Sequence, residues 1–170
     1  MRAFKIPPIA LISIAAAGAL AACGSTPSKG AAAGGAAPTK SAPGACTLLT
    51  QADLRKAAGT IFNNGRLERS EQTPYGKYTV CTWSEKAHPL NVVRVSVWDE
   101  PSAFDISKET AGKVQDSSGV GEKSFTAPFA SVFALTNGHT LFTQYYSPTG
   151  SDAEHLPVSI ALAKAAAARL

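Results

Sequence analysis

The chain has 170 residues and carries 16 Lys+Arg against 12 Asp+Glu, a formal net charge of +4, and its length suits one domain with appendages. The surplus charge sits outside the domain: Arg2, Lys5, Lys29 and Lys40 precede it, while residues 45–170 hold 12 basic and 12 acidic side chains. A neutral domain without a basic cluster lacks the electrostatic footprint of a nucleic-acid binder.

Residues 1–20 have a basic start, an apolar segment interrupted by Pro7 and Pro8, and small residues before Leu20-Ala21-Ala22-Cys23. This is the layout of a secretory signal peptide, and it is too short for a membrane span, which takes about 20 apolar residues. Leu20-Ala21-Ala22-Cys23 resembles the bacterial lipobox at all four positions. The resemblance implies removal of residues 1–22, a diacylglycerol on Cys23, and a mature protein anchored to the outer face of the cell membrane. Two acyl chains suffice for stable anchoring where one does not. The alternative is a conventional secreted protein cut near Ala22.

Residues 23–44 form the next stretch, and from residue 24 onward it contains only Gly, Ala, Ser, Thr, Pro and two lysines. With no large apolar side chain it cannot offset the entropy of ordering, so a disordered linker with a root-mean-square reach of roughly 25 Å is expected. Once Cys23 is assigned to lipid, Cys46 and Cys81 remain as a pair. In an oxidising compartment they read as a disulfide; the alternative is two separately buried thiols.

In the domain, residues 45–170, Thr50 with Asp53 three positions on marks a helix start, Leu54, Ala57 and Ala58 its inward stripe, and Gly59 its stop. Residues 66–72 suit a polar edge strand. Residues 78–85 and 91–99 are richer in aromatic and β-branched residues and read as strands. In the first of them Thr79, Cys81 and Trp83 share a face, which places Trp83 beside the disulfide; in the second, Val93, Val95 and Val97 alternate with Arg94 and Ser96. Pro101 opens a second helix that runs to about Gly112, with Asp99-Glu100 as its cap and Phe104 and Ala111 inward.

Gly119-Val120-Gly121-Glu122 is a glycine-rich connection; the third position of a dinucleotide fingerprint would be Ser124, so a structural turn is expected. Residues 129–136 and 139–146 flank Asn137-Gly138 as a hairpin, with Phe133 opposite Phe142 and Phe129 opposite Tyr146. A closing alanine-rich helix is predicted over residues 157–169, its stripe Ile160, Ala163, Ala167 and Leu170. The order, roughly α-βββ-α-β-ββ-α, predicts an α+β domain on an antiparallel sheet with helices packed against it and one disulfide.

Cys46-Thr47-Leu48-Leu49-Thr50, Cys81-Thr82-Trp83 and Gly119-Val120-Gly121-Glu122, in this order and spacing, resemble an uncharacterised actinobacterial lipoprotein family defined by a domain of unknown function. The likeness covers residues 46–125 and implies an envelope protein with a disulfide; it supplies no reaction.

Catalytic constellations are scarce. His88, His139 and His155 are far apart in sequence without metal-ligand spacing, and His139 and His155 are expected to be exposed polar residues. No G-x-S-x-G or S-x-x-K pattern occurs, and Ser118 reads as a loop residue. No cofactor or metal is implied. Trp98, on the wetter face of its strand, and the adjacent Tyr145 and Tyr146 are the candidate binding residues, with coverage by a helix as the competing explanation. The expected function is a lipid-anchored extracytoplasmic binding or interaction domain of a bacterial envelope. Its alternatives are a carrier of an apolar or lipid ligand held between sheet and helices, and an envelope hydrolase.

Overall fold

The computed structural model describes residues 43–170. The expected leader at residues 1–22, Cys23, and all of the expected linker but Pro43 and Gly44 lie outside the described residues. After a short 3-10 turn at Ala45–Thr47 come α1 (Gln51–Ala58), β1 (Arg66–Thr73), β2 (Gly76–Ser84), β3 (Val92–Trp98), α2 (Ser102–Thr110), β4 (Gln115–Ser117), β5 (Lys123–Ala127), β6 (Ser131–Thr136), β7 (His139–Tyr146) and α3 (Asp152–Ala167). The strands form one antiparallel sheet in the order β1-β2-β3-β7-β6-β5-β4. The α+β class and the disulfide are as the sequence predicts.

Strand alternation gives this sheet two different faces. Thr79, Cys81 and Trp83 of β2 pair with Val97, Val95 and Val93 of β3, which pair in turn with Leu141, Thr143 and Tyr145 of β7. These residues look toward α1 and α3. Val93, Val95, Val97 and Leu141 are at most 1% exposed and pack with Leu48, Leu54, Leu162, Ala163 and Ala166. The small residues of α3 let it lie close against β6 and β7.

The local signals of α1 are realised. Thr50 accepts the Asp53 amide at 3.2 Å while the Asp53 carboxylate accepts the Thr50 amide at 2.8 Å, and Gly59 closes the helix at φ +71°. Cys46 is bonded to Cys81 across a separation of 35 residues. Trp83 lies beside that bond: a Cβ on Gly65 would fall 2.6 Å from Trp83 Nε1 and 2.9 Å from Cys81 Sγ. Two residues beyond Cys46, the Leu48 carbonyl accepts Arg169 at 2.9 Å, and Arg169 pairs with Asp53 at 2.9 Å, which ties α3 to the start of α1.

Several boundaries differ from the expectation. The last helix begins at Asp152, ahead of Pro157, because the Glu154 carboxylate accepts both the amide and the hydroxyl of Ser151 and fixes the first turn. Its buried stripe is Ser159, Leu162, Ala163, Ala166 and Ala167, with Ile160 and Leu170 only half-buried. Two strands, β4 and β5, occupy the place of one, so β5–β6 is a second hairpin. Its turn holds Phe129 at φ +62° and 70% exposed, outside any ladder, so Phe129 does not face Tyr146; β6 begins with Ser131 opposite Gln144. Phe133 does face Phe142. In α2 the buried residues are Phe104, as expected, and Ala103 where Ala111 was expected. His139 is buried at the start of β7, because its strand position points it under the helices.

The Gly119–Glu122 connection is a clamp. Val120 is buried in the core, the Glu122 amide donates to the Leu135 carbonyl at 2.8 Å, and its carboxylate accepts the Asn137 amide at 2.8 Å. Gly121, at φ +59°, lies where any Cβ would strike Thr136 Oγ1 and the Leu135 carbonyl. The loop holds the Asn137-Gly138 turn and presents no ligand cradle.

Candidate functional site on the open sheet face

The opposite face of the sheet is covered only in part. Pairing lines up three rows across it. One runs Phe125, Phe133, Phe142, Ser96, Val80 from β5 to β2; the row beside it holds Leu135, Thr140, Trp98 and Tyr78; the row on the other side holds Ser131, Gln144, Arg94 and Thr82. α2 lies over β6 and β7 and reaches β5 through Phe104, which packs edge-on to Phe125 at 5.1 Å between ring centres. From there the rings continue: Phe125 stacks on Phe133 at 4.8 Å, and Phe133 meets Phe142 at 5.0 Å. Contacts of this kind stabilise by roughly 0.5–1.5 kcal/mol beyond the area they bury.

The row of rings stops at Ser96. Trp98 and Tyr78 stack on each other at 4.5 Å in the next row. A small residue between large ones leaves a depression, and a groove of about 300 Å³ opens there, floored by Ser96, walled by Tyr78, Trp98, Phe133 and Phe142, with Arg94 at one end and Ser107 of α2 at its rim. Arg94 is exposed and forms no salt bridge among the described residues. Beyond it lies a polar depression that includes Asn63, Arg66, Glu68 and Thr82. The Glu68 carboxyl is held below its ordinary range by the Thr82 hydroxyl first, then by Arg66, which donates to it at 3.1 Å, and by the charge of Arg94, against the opposing effect of burial. Arg66 and Glu68 form a pair, which leaves Arg94 as the surplus cation.

No protein-family model, curated relative or solved structure matches this chain. The site therefore rests on its own geometry. Of the sequence candidates, Trp98 lines the groove. Tyr146 is on the same face, 49% exposed, at the far end of the neighbouring strand opposite Val92. Tyr145 points to the helix face, where His155 of α3 meets its ring edge-on at 5.3 Å; burial, then Glu85, raises its hydroxyl above the ordinary range. Tyr78, Arg94, Ser96, Phe133 and Phe142 were not singled out as site residues by sequence reasoning, since bringing the Phe133–Phe142 pair beside Ser96 depends on the β3–β7 pairing.

Other polar groups are in structural use. Glu85, 5% exposed, accepts Thr60 at 2.7 Å and Asn91 at 2.6 Å. The Thr60 bond, then Asn91 and the charge of His88, keep its carboxyl low despite burial. His88 is exposed on the β2–β3 connection, and His139 is at the opposite end of the sheet. Among the described residues no group of three or more His, Cys, Asp or Glu could hold a metal, and no helix is long and apolar enough to cross a membrane.

Proposed function

We propose that this chain is a lipid-anchored extracytoplasmic binding module of a bacterial cell envelope, which takes its ligand on the open face of the sheet. The lipobox-like Leu20-Ala21-Ala22-Cys23 and the small-residue linker support the anchoring, with diacylglycerol on Cys23 as the membrane contact. The likeness of the Cys46, Cys81 and Gly119 motifs to actinobacterial lipoproteins supports the same address. The observation that carries the binding role is the groove at Ser96, where aromatic side chains line a depression that α2 leaves open. Pockets that hold small ligands combine apolar walls with a few polar groups in this way.

A carrier that holds an apolar ligand between the sheet and the helices has less support, because the side chains facing α1 and α3 are almost wholly buried. A hydrolase has less support, because the histidines are divided between the two ends of the sheet.

Site-specific photo-crosslinking in cells tests the binding role. A photoreactive residue at position 107, on the groove rim, is expected to capture a partner or small molecule that the Trp98→Ala protein does not retain. The same residue at the exposed position 168, beyond α3, should capture neither. Equal capture from both positions would remove the groove from the account.

A further inference from the structure

We infer that the groove takes a monomeric amphiphilic anion: a compound with a flat or acyl body and one carboxylate, sulfonate or phosphate group. This deepens the open-face reading and rests on it. The body belongs against Trp98, Tyr78, Phe133 and Phe142, whose faces and edges supply dispersion contact in a space of about 300 Å³. That space suits a body of one or two rings or a short chain.

The anion belongs on Arg94. Thr82 and Gln144 flank it across the neighbouring strands, and Arg66 is already paired with Glu68. Arg94 thus forms no salt bridge among the described residues, although its charge acts on the nearby Glu68, and it stands at the end of an apolar groove with guanidinium donors for an oxyanion. Ser96, two residues along the same strand and face, adds a hydroxyl to the floor of the groove. A neutral apolar ligand would leave the guanidinium beside it partly desolvated and unmatched, and a cationic one would meet like charge. Charge complementarity therefore selects the anion, and the small floor with aromatic walls selects an attached apolar body.

The test uses the full chain carrying Cys23→Ser, purified without detergent, and two probes that share one ring system. 1-Anilinonaphthalene-8-sulfonate has the anion; N-phenyl-1-naphthylamine lacks it. The sulfonate is expected to bind one to one and about tenfold more tightly than the amine, the worth of a charge-assisted hydrogen bond. Arg94→Gln should erase that preference by weakening the sulfonate about tenfold more than the amine, while Trp98→Ala should weaken both. Circular dichroism and thermal unfolding of each variant confirm that it is folded.

Equal affinity of the two probes for the unaltered groove overturns the anion inference but leaves the open-face reading standing. Failure of both probes to bind, or binding that Trp98→Ala does not weaken, overturns both. Dodecyl phosphate below its micellar concentration should displace the sulfonate; displacement only by vesicles containing phosphatidylglycerol would assign Arg94 to a membrane surface and overturn the monomeric ligand.

Discussion

Ser96 shapes the open face more than any aromatic does. It sits between Phe142 and Val80 in a row that otherwise carries large side chains, and with 2% exposure it forms a floor. Its strand neighbours two positions away, Arg94 and Trp98, then bring a charge and an indole to the two ends of one depression. The period-two alternation of residues 92–98 made it legible that these three share a face. That Phe133 and Phe142 join them was only half legible: the Asn137-Gly138 turn fixes Phe133 opposite Phe142, but the pairing of β7 with β3 comes from residues nearly fifty positions apart. Gly65 shows a constraint of the other kind, with no local signal at all. Gly65→Ala would push a methyl into the indole of Trp83 and the Cys81 sulfur, and overpacking of this kind typically costs about 1–3 kcal/mol. Urea unfolding should show that loss with an unchanged slope.

Among the elements, those with short-range chemistry were read correctly and those with mixed signals were not. The capping box of α1 and the hairpin turn of β6–β7 are written in two to four adjacent residues. Pro157 masked the true start of α3, although Ser151 and Glu154 carry the same capping signature as Thr50 and Asp53. Residues 123–127 offer one large apolar side chain, Phe125, and so gave too weak a pattern for a strand.

Two predictions belong at this scale. Replacing Cys46 and Cys81 together by Ala opens a loop of 35 residues, and the chain-entropy model gives a loss of about 4 kcal/mol; reduction of the native protein should lower its thermal midpoint in the same way. The second concerns the α1–α3 clasp. Burial alone would raise the Asp53 carboxyl, but the bonds from Thr50 and the charge and hydrogen bond of Arg169 outweigh it and hold it below its ordinary value. A carboxyl depressed in the folded state stabilises fully above the unfolded value, about pH 4, and loses that contribution as pH falls through the folded value. The stability gap between native protein and Asp53→Asn should therefore be present at neutral pH and close in acid. Denaturant midpoints measured across that range check it, and a gap that stays constant would contradict the assignment.

For the molecule as a whole, the sheet has one face sealed by α1 and α3 and the other left partly open, and its edges are protected against pairing with other chains. β1 carries Arg66, Glu68, Arg69 and Glu71 with a bulge between Leu67 and Arg69, and β4 is three residues long; charge, bulges and brevity all blunt edge association. The proposed binding is accordingly assigned to the open face. The proposed anchor at Cys23 gives its own expectation: Cys23→Ala protein should be found free of the membrane fraction, and mass spectrometry of the native amino terminus should find an acylated Cys23.

The most direct measurement of where this protein binds is chemical-shift mapping of the isotope-labelled protein against a solvent extract of the cell envelope. The amides of Arg94, Ser96, Trp98, Phe133 and Phe142 should shift together, while those of α1 and α3 stay in place. Shifts confined to the helix face, or none at any concentration, would contradict the assignment of binding to the open face.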